Sequence, residues 1–187
     1  MTTARPIHRG GSGANSWLRD YFGLIVVMML IPNERGGTPT IKFHGVEDEY
    51  GCFSNFAPYQ IKLNGKIWPT SEHYFQAQKF AGTEHEDAIR NASTPMIAAQ
   101  MGRDRTRQVR PDWEGVKDEI MLEAVRAKFD QHAQIASVLL DTGDAMLVEH
   151  AARDSYWGDG GHGRGRNMLG QILMRIREEL RRGVDQF

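Results

Sequence analysis

Residues 68–80 constrain the fold of this chain more than any other stretch, because they predict a sharp turn that leads directly into a helix. Pro69 suits the turn before a helix but not a helix interior, and Thr70 or Ser71 can cap the first free backbone N–H groups. Just upstream, alternating residues around Asn64-Gly65 predict a β-hairpin. The pattern therefore indicates a hairpin that delivers the chain to a capped helix.

Three polar side chains of different chemistry fall on one stripe of this predicted helix. Glu72, Gln76 and Lys79 stand at positions i, i+4 and i+7, which brings a carboxylate, an amide and an amine into line. The aromatic residues Phe75 and Phe80 flank the stripe. A solvated Glu–Lys face has the same spacing, so spacing alone leaves both a binding site and an exposed surface open.

A second stretch, residues 154–170, is rich in glycine and runs into an amphipathic helix. Glycines let backbone N–H groups turn outward, and a helix N-terminus adds a positive dipole, so this stretch can bind an anion. Arg164 and Arg166 can add charge-assisted hydrogen bonds to a phosphate. A flexible turn is the alternative. The stretch formally matches GxGxxG, but too little chain follows it to build the later strands of a dinucleotide-binding fold.

Bulk composition narrows the class of protein. A chain of 187 residues, 40% hydrophobic and 25% charged, is typical of a single globular domain. Its net charge of −1 gives no overall attraction to nucleic acid or to an anionic membrane. The apolar run at residues 24–31 is far shorter than the roughly 20 residues that span a bilayer, so no membrane partner is expected.

Cysteine and histidine usage bears on redox compartment and metal content. The single Cys52 is incompatible with an intramolecular disulfide framework and with a cysteine-based zinc site. The histidines show no HExxH spacing or similar ligand pattern. We therefore expect a cytoplasmic protein with no metal and no cofactor.

The rest of the chain predicts mainly helices. Helices are expected at residues 84–91, 96–101, 113–129, 134–140 and 167–181, and further strands at residues 40–44 and 145–150. Gly183 is expected just beyond the last helix. The predicted fold is a predominantly α-helical α+β domain with a small antiparallel sheet, spanning residues 40–187. Residues 1–39 are expected to form a partly disordered N-terminal extension.

Four stretches of this chain resemble the motifs of the NADAR domain family, in order and at the spacing that the family shows. They are Tyr50–Phe56, Trp68–Phe80, Met96–Arg103 and Tyr156–Gly170. Within the family, the stretches are similar to those of the bacterial YbiA-like N-glycosidases. The resemblance covers the chain from about Thr40 to about Arg181, and the N-terminal part lies outside it.

The resemblance implies an activity and a set of site residues. YbiA-like members are linked to hydrolysis of the N-glycosidic bond in ribosylamino-pyrimidine 5′-phosphates, which are early intermediates of riboflavin biosynthesis. Other NADAR-type domains are linked to ADP-ribose and to its removal from guanine in nucleic acid. Position by position, the implied catalytic residues are Glu72, Lys79 and Asp159. The expected substrate-binding residues are Asn55, Trp68, Arg103, Trp157, Gly158, Gly160, Arg164 and Asn167.

The chemistry of an N-glycosidic bond assigns roles to these residues. The bond breaks through an oxocarbenium-like sugar, which calls for negative charge near C1 and stabilisation of the leaving base. Glu72 lies in the first turn of its helix, where the dipole favours a carboxylate that activates water or stabilises the cation rather than a general acid. Asp159 is the expected second carboxylate, and Trp68 and Trp157 can stack on the base or wall off water.

Lys79 has two interpretations. Its amine can pair with Glu72 or contact the phosphate of the substrate. If burial lowers its pKa, the amine can instead attack the sugar C1 and form an imine with the opened ribose. The sequence does not reveal that pKa, so direct attack by water is the favoured route at this point.

Three functions stay open. The favoured one is a metal-independent N-glycosidase of small pyrimidine ribotides. The second is a hydrolase that removes ADP-ribose from guanine in nucleic acid, with the basic tract at residues 103–110 holding the backbone. A solvated charged loop is the plainer interpretation of Arg105 and Arg110 in that tract. The third is a non-catalytic module that binds nucleotide ribose.

Overall fold

The computed structural model describes residues 37–184. The predicted extension up to residue 36, including the apolar run at residues 24–31, lies outside the described residues. Within the described part, none of the helices is both long enough and apolar enough to cross a membrane.

Four short strands form two separate two-stranded sheets: β1 (Thr40–Phe43), β2 (Ile61–Leu63), β3 (Lys66–Trp68) and β4 (Met146–Glu149). Strands β2 and β3 pair antiparallel, as the hairpin signal predicts. The turn residues Asn64 and Gly65 have φ values of 51° and 73°, the left-handed backbone that the tightest hairpin turns require. The small antiparallel sheet is thus confirmed.

Strands β1 and β4 pair in parallel, although the hairpin and five helices lie between them in the sequence. Thr40 lies opposite Met146, and Phe43 lies opposite Glu149. Parallel strands have their carboxyl ends at the same edge. The last residue of β4 and the glycine-rich loop that follows it therefore start beside the end of β1, a neighbourhood that local sequence signals do not predict.

Within residues 37–184, six helices account for most of the secondary structure: α1 (Ser71–Ala77), α2 (Glu84–Arg90), α3 (Pro95–Gly102), α4 (Trp113–Gln131), α5 (Ala133–Asp141) and α6 (Met168–Val184). Each was predicted, and the α+β class with a predominance of helix is confirmed. Helix α1 is shorter than expected, since its last turn is a separate 3-10 turn at Gln78–Phe80. The prediction that Gly183 lies beyond the last helix was wrong: α6 continues through it, and the exposed position tolerates glycine at a cost of about 1 kcal/mol.

The helices surround two hydrophobic clusters. The larger one packs α4, α5 and α6 onto β1 and β4, and the predicted inward face of α6 lies in it, with Leu169, Ile172, Leu173 and Ile176 all buried. The smaller one joins the hairpin to α1 and α2 through Ile61, Trp68, Tyr74, Phe80 and Ile89.

Helix α1 lies between these clusters, and every one of its seven residues is buried. A helix that is buried all round is held by its neighbours rather than by solvation of a polar face. The interpretation of its Glu–Lys stripe as an exposed surface is therefore excluded, and the polar groups of this stripe need an explanation.

Candidate active site

A cavity of about 490 Å³ opens against the polar stripe of α1. This volume lies in the range of sites for small molecules. The walls come from six parts of the chain: the residue after β1, the loop before β2, α1 with its 3-10 turn, the residue after α3, the first half of α4, and the end of β4 with the loop that follows it. The lining residues include Asn55, Glu72, Phe75, Gln76, Lys79, Arg103, Trp113, Lys117, Met121, Glu149, Asp154, Tyr156 and Trp157.

The start of α1 fixes the position of Glu72. The Thr70 side chain caps the helix by accepting a hydrogen bond from the backbone N–H of His73. The backbone N–H of Glu72 donates to the Asn55 carbonyl oxygen at 3.1 Å. Gln76 Nε2 donates to Glu72 Oε1 at 2.8 Å, and the carboxylate side chain is left only 5% exposed.

Burial changes the proton affinity of Glu72. It raises the pKa of this carboxyl group above its ordinary value, against the lowering effects of the Gln76 hydrogen bond and of the Arg103 and Lys79 charges. The position of Glu72 in the first turn of α1 predicts a lowered pKa instead, because the helix dipole favours the charged form of a solvated carboxylate. Glu72 therefore holds a proton more readily than the sequence indicates.

Lys79 lies at the end of the stripe, on the 3-10 turn. Its Nζ donates to the Gly102 carbonyl oxygen at 3.0 Å and lies 5.8 Å and 5.5 Å from the ring centroids of Phe75 and Trp113. Burial lowers the pKa of the Lys79 amine, although the Glu72 charge opposes this shift. The direction of this shift is the one that favours a neutral, nucleophilic amine.

Glu149 and Asp154 are two cavity carboxylates that the sequence analysis did not single out. Burial raises the pKa of Glu149 to about 7, with further increases from the charges of Asp154, Glu72 and Asp159. Glu149 is the last residue of β4, and the glycine-rich loop follows it closely. This position at the end of a predicted strand is the sequence feature that could have identified Glu149 as a site residue. Glu149 and Asp154 therefore share one cavity with Glu72 and Lys79.

Two amide side chains present unpaired acceptors next to these charges. Asn55 Nδ2 donates to Met121 Sδ at 3.1 Å, whereas Asn55 Oδ1 and Gln76 Oε1 are buried without a hydrogen-bond partner among residues 37–184. A buried polar atom without a partner is unfavourable by about 1–3 kcal/mol, so such atoms often mark the place of a ligand donor. Gly102 permits the close approach of Gln76, since a Cβ at this position would lie 2.0 Å from Oε1.

Aromatic rings form the other wall. Trp157 packs edge-on against Phe75, with ring centroids 5.2 Å apart, and Tyr156 packs edge-on against Trp157 at 5.1 Å. Asp154 Oδ1 accepts hydrogen bonds from the backbone N–H groups of Tyr156 and Trp157, at 2.9 Å and 2.8 Å. Asp154 therefore fixes the aromatic wall as well as contributing charge.

Two further cations reach the cavity from its rim. Arg103 follows the last residue of α3 and is exposed, and no carboxylate of residues 37–184 forms an ion pair with it. Lys117 is already engaged, since its Nζ lies 2.5 Å from Glu114 Oε2 and 4.1 Å from the ring centroid of Tyr156. Arg103 is thus the rim cation with capacity for an anionic ligand.

The structure brings five of the expected site residues to the cavity: Asn55, Glu72, Lys79, Arg103 and Trp157. It places six others outside the lining: Trp68, Gly158, Asp159, Gly160, Arg164 and Asn167. Trp68 is fully buried in the smaller cluster, where its Nε1 donates to the Leu63 carbonyl oxygen and its ring packs on Tyr74.

The glycine-rich loop is held together by several of these other residues. Asp159 accepts hydrogen bonds from His150 Nδ1 and the Gly161 N–H, and the His150 contact keeps the pKa of Asp159 below its usual value. Asn167 Nδ2 donates to the Leu147 carbonyl oxygen, and its Oδ1 accepts from the Glu149 N–H. These contacts attach the loop to β4 and so position Glu149.

Two of the four arginines in the basic tract after α3 form ion pairs with nearby aspartates. Arg107 lies 3.4 Å from Asp104, and Arg110 lies 2.6 Å from Asp112. This agrees with the plainer interpretation of Arg110 as part of a solvated charged loop. Among residues 37–184, no three metal-ligating side chains cluster in a way that would hold a metal ion.

Comparisons with known proteins identify the family of this chain. The chain matches the NADAR domain over residues 42–181. It is 56% identical over 140 residues to N-glycosidase YbiA of Escherichia coli (strain K12), with 75% of this chain and 88% of that protein covered. It is 51% identical over 145 residues to an N-glycosidase of Nostoc punctiforme, with 76% and 93% covered.

A further relative and a solved structure extend the comparison. The chain is 39% identical over 158 residues to the chloroplastic riboflavin biosynthesis protein PYRR of Zea mays. The aligned region covers 76% of this chain and 25% of that protein. The NMR structure of the Escherichia coli protein YbiA superposes with a TM-score of 0.75 at 53% identity, covering 80% of this chain and 89% of that one. The chain belongs to the NADAR domain family.

Proposed function

We propose that this protein is an N-glycosidase that hydrolyses the bond between ribose and an amino-pyrimidine, with a ribosylamino-pyrimidine 5′-phosphate of riboflavin biosynthesis as its substrate. The observation that carries the proposal is the meeting of buried Glu72 with partly buried Lys79 and Glu149 in one cavity with an aromatic wall. The names of its relatives, N-glycosidases and riboflavin biosynthesis proteins, support the same reaction class.

The opposite pKa shifts of Glu72 and Lys79 support a nucleophilic role for the lysine. Burial raises the pKa of the carboxyl group and lowers that of the ammonium group. Both shifts ease the transfer of a proton from Lys79 to Glu72, compared with the same pair in water. The transfer leaves a neutral amine, which is the form that attacks carbon.

The reaction then needs one acid and one water molecule. The amine of Lys79 attacks C1′ while the bond from C1′ to the base nitrogen breaks, and Glu149 gives its proton to that nitrogen. The ring oxygen takes a proton from the attached lysine nitrogen as the sugar ring opens, which leaves a protonated imine between Nζ and C1′. Water adds to C1′, the bond between C1′ and Nζ breaks to release ribose 5-phosphate and the free amine, and the remaining proton returns to the Glu149 carboxylate.

Direct attack by water is the alternative route. In this case Glu72 takes a proton from water, the oxygen adds to C1′, and Glu149 again protonates the leaving base. The two routes share the acid and differ in whether Lys79 ever bonds to the sugar. Reduction with borohydride during turnover separates them, because only the first route forms an imine.

If Glu149 is the acid that protonates the leaving base, kcat depends on pH. Its pKa is raised to about 7, so the carboxyl group is protonated and able to donate below this pH and loses its proton above it. We expect kcat to fall about tenfold per pH unit above pH 7, and Glu149→Gln to remove this limb and to lower kcat by about 10²–10⁴. Initial rates measured between pH 5.5 and 9 test this.

A matched variant tests the carboxylate expected from the sequence. Asp159→Asn changes a group whose pKa is lowered by His150, so it cannot supply an acid near neutral pH. We expect kcat of this variant to fall above pH 7 as it does in the unchanged protein. Its kcat can be lower at every pH, because the substitution weakens the glycine-rich loop. A limb that disappears in Asp159→Asn but persists in Glu149→Gln would contradict the assignment of the acid.

Arg103 is proposed to bind the 5′-phosphate of the substrate. A charge-assisted hydrogen bond contributes about 1.5–3 kcal/mol, so Arg103→Met should raise KM by about 10- to 100-fold. We expect kcat to change little, because the phosphate is remote from C1′. Steady-state kinetics with the phosphorylated substrate and its dephosphorylated nucleoside measure the effect, and the nucleoside should be insensitive to the change.

Arg164→Met provides the comparison, since Arg164 lies on the glycine-rich loop and outside the cavity lining. We expect its KM to stay within about twofold of the unchanged protein, which is typical of an exposed charge without a specific partner. A larger effect at Arg164 than at Arg103 would assign the phosphate to the glycine-rich loop instead.

A side-by-side assay in the presence of EDTA tests the function itself. One reaction contains freshly generated ribosylamino-pyrimidine 5′-phosphate, and the other contains DNA with ADP-ribosylated guanine. We expect release of ribose 5-phosphate in the first. Release of ADP-ribose alone would make the protein a nucleic-acid hydrolase, and cleavage of neither substrate would favour the binding module.

A further inference from the structure

Lys128 is a fully buried lysine outside the cavity. It lies on α4 with 0% of its surface exposed, and its Nζ donates to the Ser54 carbonyl oxygen at 2.9 Å. The rings of Tyr59 and Phe129 lie 5.9 Å and 5.4 Å from the amine. No carboxylate of residues 37–184 forms an ion pair with it. A buried amine without a counter-charge is unfavourable for stability, so its presence calls for another reason.

The hydrogen bond of Lys128 ends one peptide bond away from the cavity. The Ser54 carbonyl belongs to the peptide unit that joins Ser54 to Asn55, and this unit is planar. Holding the oxygen therefore fixes the orientation of the plane in which the nitrogen and Cα of Asn55 lie. Asn55 in turn lines the cavity and accepts the Glu72 N–H through its own carbonyl oxygen.

We propose that Lys128 is a positioning residue, which holds the Ser54–Asn55 peptide so that the Asn55 amide points into the cavity with its Oδ1 free for the substrate. Asn55 Nδ2 donates to Met121 Sδ, a weak acceptor that cannot hold the amide on its own. The catalytic consequence of this positioning rests on the function proposed above, whereas the positioning itself does not.

Lys128 can donate its hydrogen bond to the Ser54 carbonyl oxygen whether its amine is protonated or neutral. Burial lowers its pKa to about 7, and the charge of Cys52 opposes this shift. Tyr59 is the other titratable group that faces the amine. Both the ammonium and the neutral amine have N–H groups, so both forms can donate to the Ser54 carbonyl. The positioning should accordingly be the same on either side of neutral pH.

Lys128→Met tests the proposal, because methionine fills a similar volume but donates no hydrogen bond. We expect kcat/KM to fall about tenfold through displacement of Asn55, while the melting temperature stays the same or rises because a buried amine is removed. Leu139→Met is the matched control, since Leu139 is also fully buried in the core and lies outside the cavity lining. Activity that falls only together with melting temperature, in both variants alike, would overturn the proposal.

A double-mutant cycle identifies the residue through which Lys128 acts. If it acts through Asn55, Lys128→Met should reduce kcat/KM by less than twofold once Asn55→Ala is present. The loss in the Lys128→Met single variant should also keep its size from pH 6 to pH 8. Additive losses, or a loss confined to one side of pH 7, would overturn the positioning role.

NMR separates this proposal from the proposed reaction. The side-chain amide signals of Asn55, identified by their disappearance in Asn55→Ala, should shift or broaden in Lys128→Met and stay in place in Leu139→Met. This readout applies even if the protein cleaves no N-glycoside. If Lys128→Met does not fold, Lys128→Leu, which also lacks a hydrogen-bond donor, enters the same cycle. Unchanged Asn55 signals, or failure of both variants to fold, would refute positioning as the reason for this lysine.

Discussion

Glu72→Gln is expected to lose at least about 10³-fold in kcat while the protein stays folded, because both proposed routes need a proton acceptor at this position. The substitution keeps the size of the side chain and leaves an oxygen that can still accept the hydrogen bond from Gln76 Nε2. It removes only the ability to take a proton from Lys79 or from water. Single-turnover rates measure the chemical step without interference from product release.

The stability of Glu72→Gln provides an internal check. Since burial raises the pKa of Glu72 above its unfolded value, the native state loses stability as pH rises through the folded pKa. The glutamine variant lacks this loss, so its melting temperature should gain on that of the unchanged protein as pH rises. Circular dichroism melts at pH 5 and pH 8 measure the difference.

Glu178→Gln is the control for Glu72→Gln. Glu178 lies on α6, outside the cavity lining, with a half-exposed side chain paired to Arg181. Loss of an exposed ion pair changes stability by about 0–1 kcal/mol, and we expect no change in rate. Turnover by Glu72→Gln within tenfold of the unchanged protein would exclude Glu72 as the proton acceptor.

The part of this site that lies on α1 was predictable because its signals are local. Pro69 before the helix, the cap at Thr70 and the hairpin turn at Asn64-Gly65 each act within a few residues. The spacing of Glu72 and Lys79 follows from helical geometry alone. Helical geometry does not predict that Glu72 and Lys79 are shielded from solvent, and it is this burial that shifts the pKa values of both side chains.

The rest of the site depends on contacts between distant parts of the chain. Glu149 reaches the cavity because β4 pairs in parallel with β1, and no local pattern specifies a parallel partner. Sequence reasoning therefore selected Asp159, which stands among glycines in a motif, rather than Glu149 at the end of a strand. Trp68 shows the same limit, since a hairpin predicts where an aromatic residue lies but not which cluster it enters.

Reduction with borohydride during turnover is expected to attach the sugar phosphate covalently to Lys79. Borohydride converts an imine into a stable amine, so a lysine that bonds to C1′ keeps the ribose carbon chain. Burial lowers the pKa of Lys79, and the neutral amine fraction therefore grows as pH rises. Mass spectrometry of peptides should locate the adduct at Lys79 and at no other lysine, and only when substrate and borohydride are both present.

Two substitutions separate the nucleophile from the charge at this position. Lys79→Met keeps contact with the Phe75 and Trp113 rings but has neither amine nor charge, and Lys79→Arg keeps the charge without forming an imine under these conditions. We expect both variants to lose the adduct and at least about 10³-fold in kcat, because neither can form the covalent intermediate.

Lys79→Arg decides between the two routes. If water attacks C1′ directly, the lysine serves only as a cation beside Glu72, and arginine should restore much of the rate that methionine loses. Substantial turnover by Lys79→Arg, with no adduct on the unchanged protein, would assign the attack to water. Loss of turnover in both variants, with an adduct on the unchanged protein, would make the amine itself the attacking group. The lowered pKa of Lys79, and its place in the same cavity as a carboxyl group of raised pKa, lead us to expect the second result.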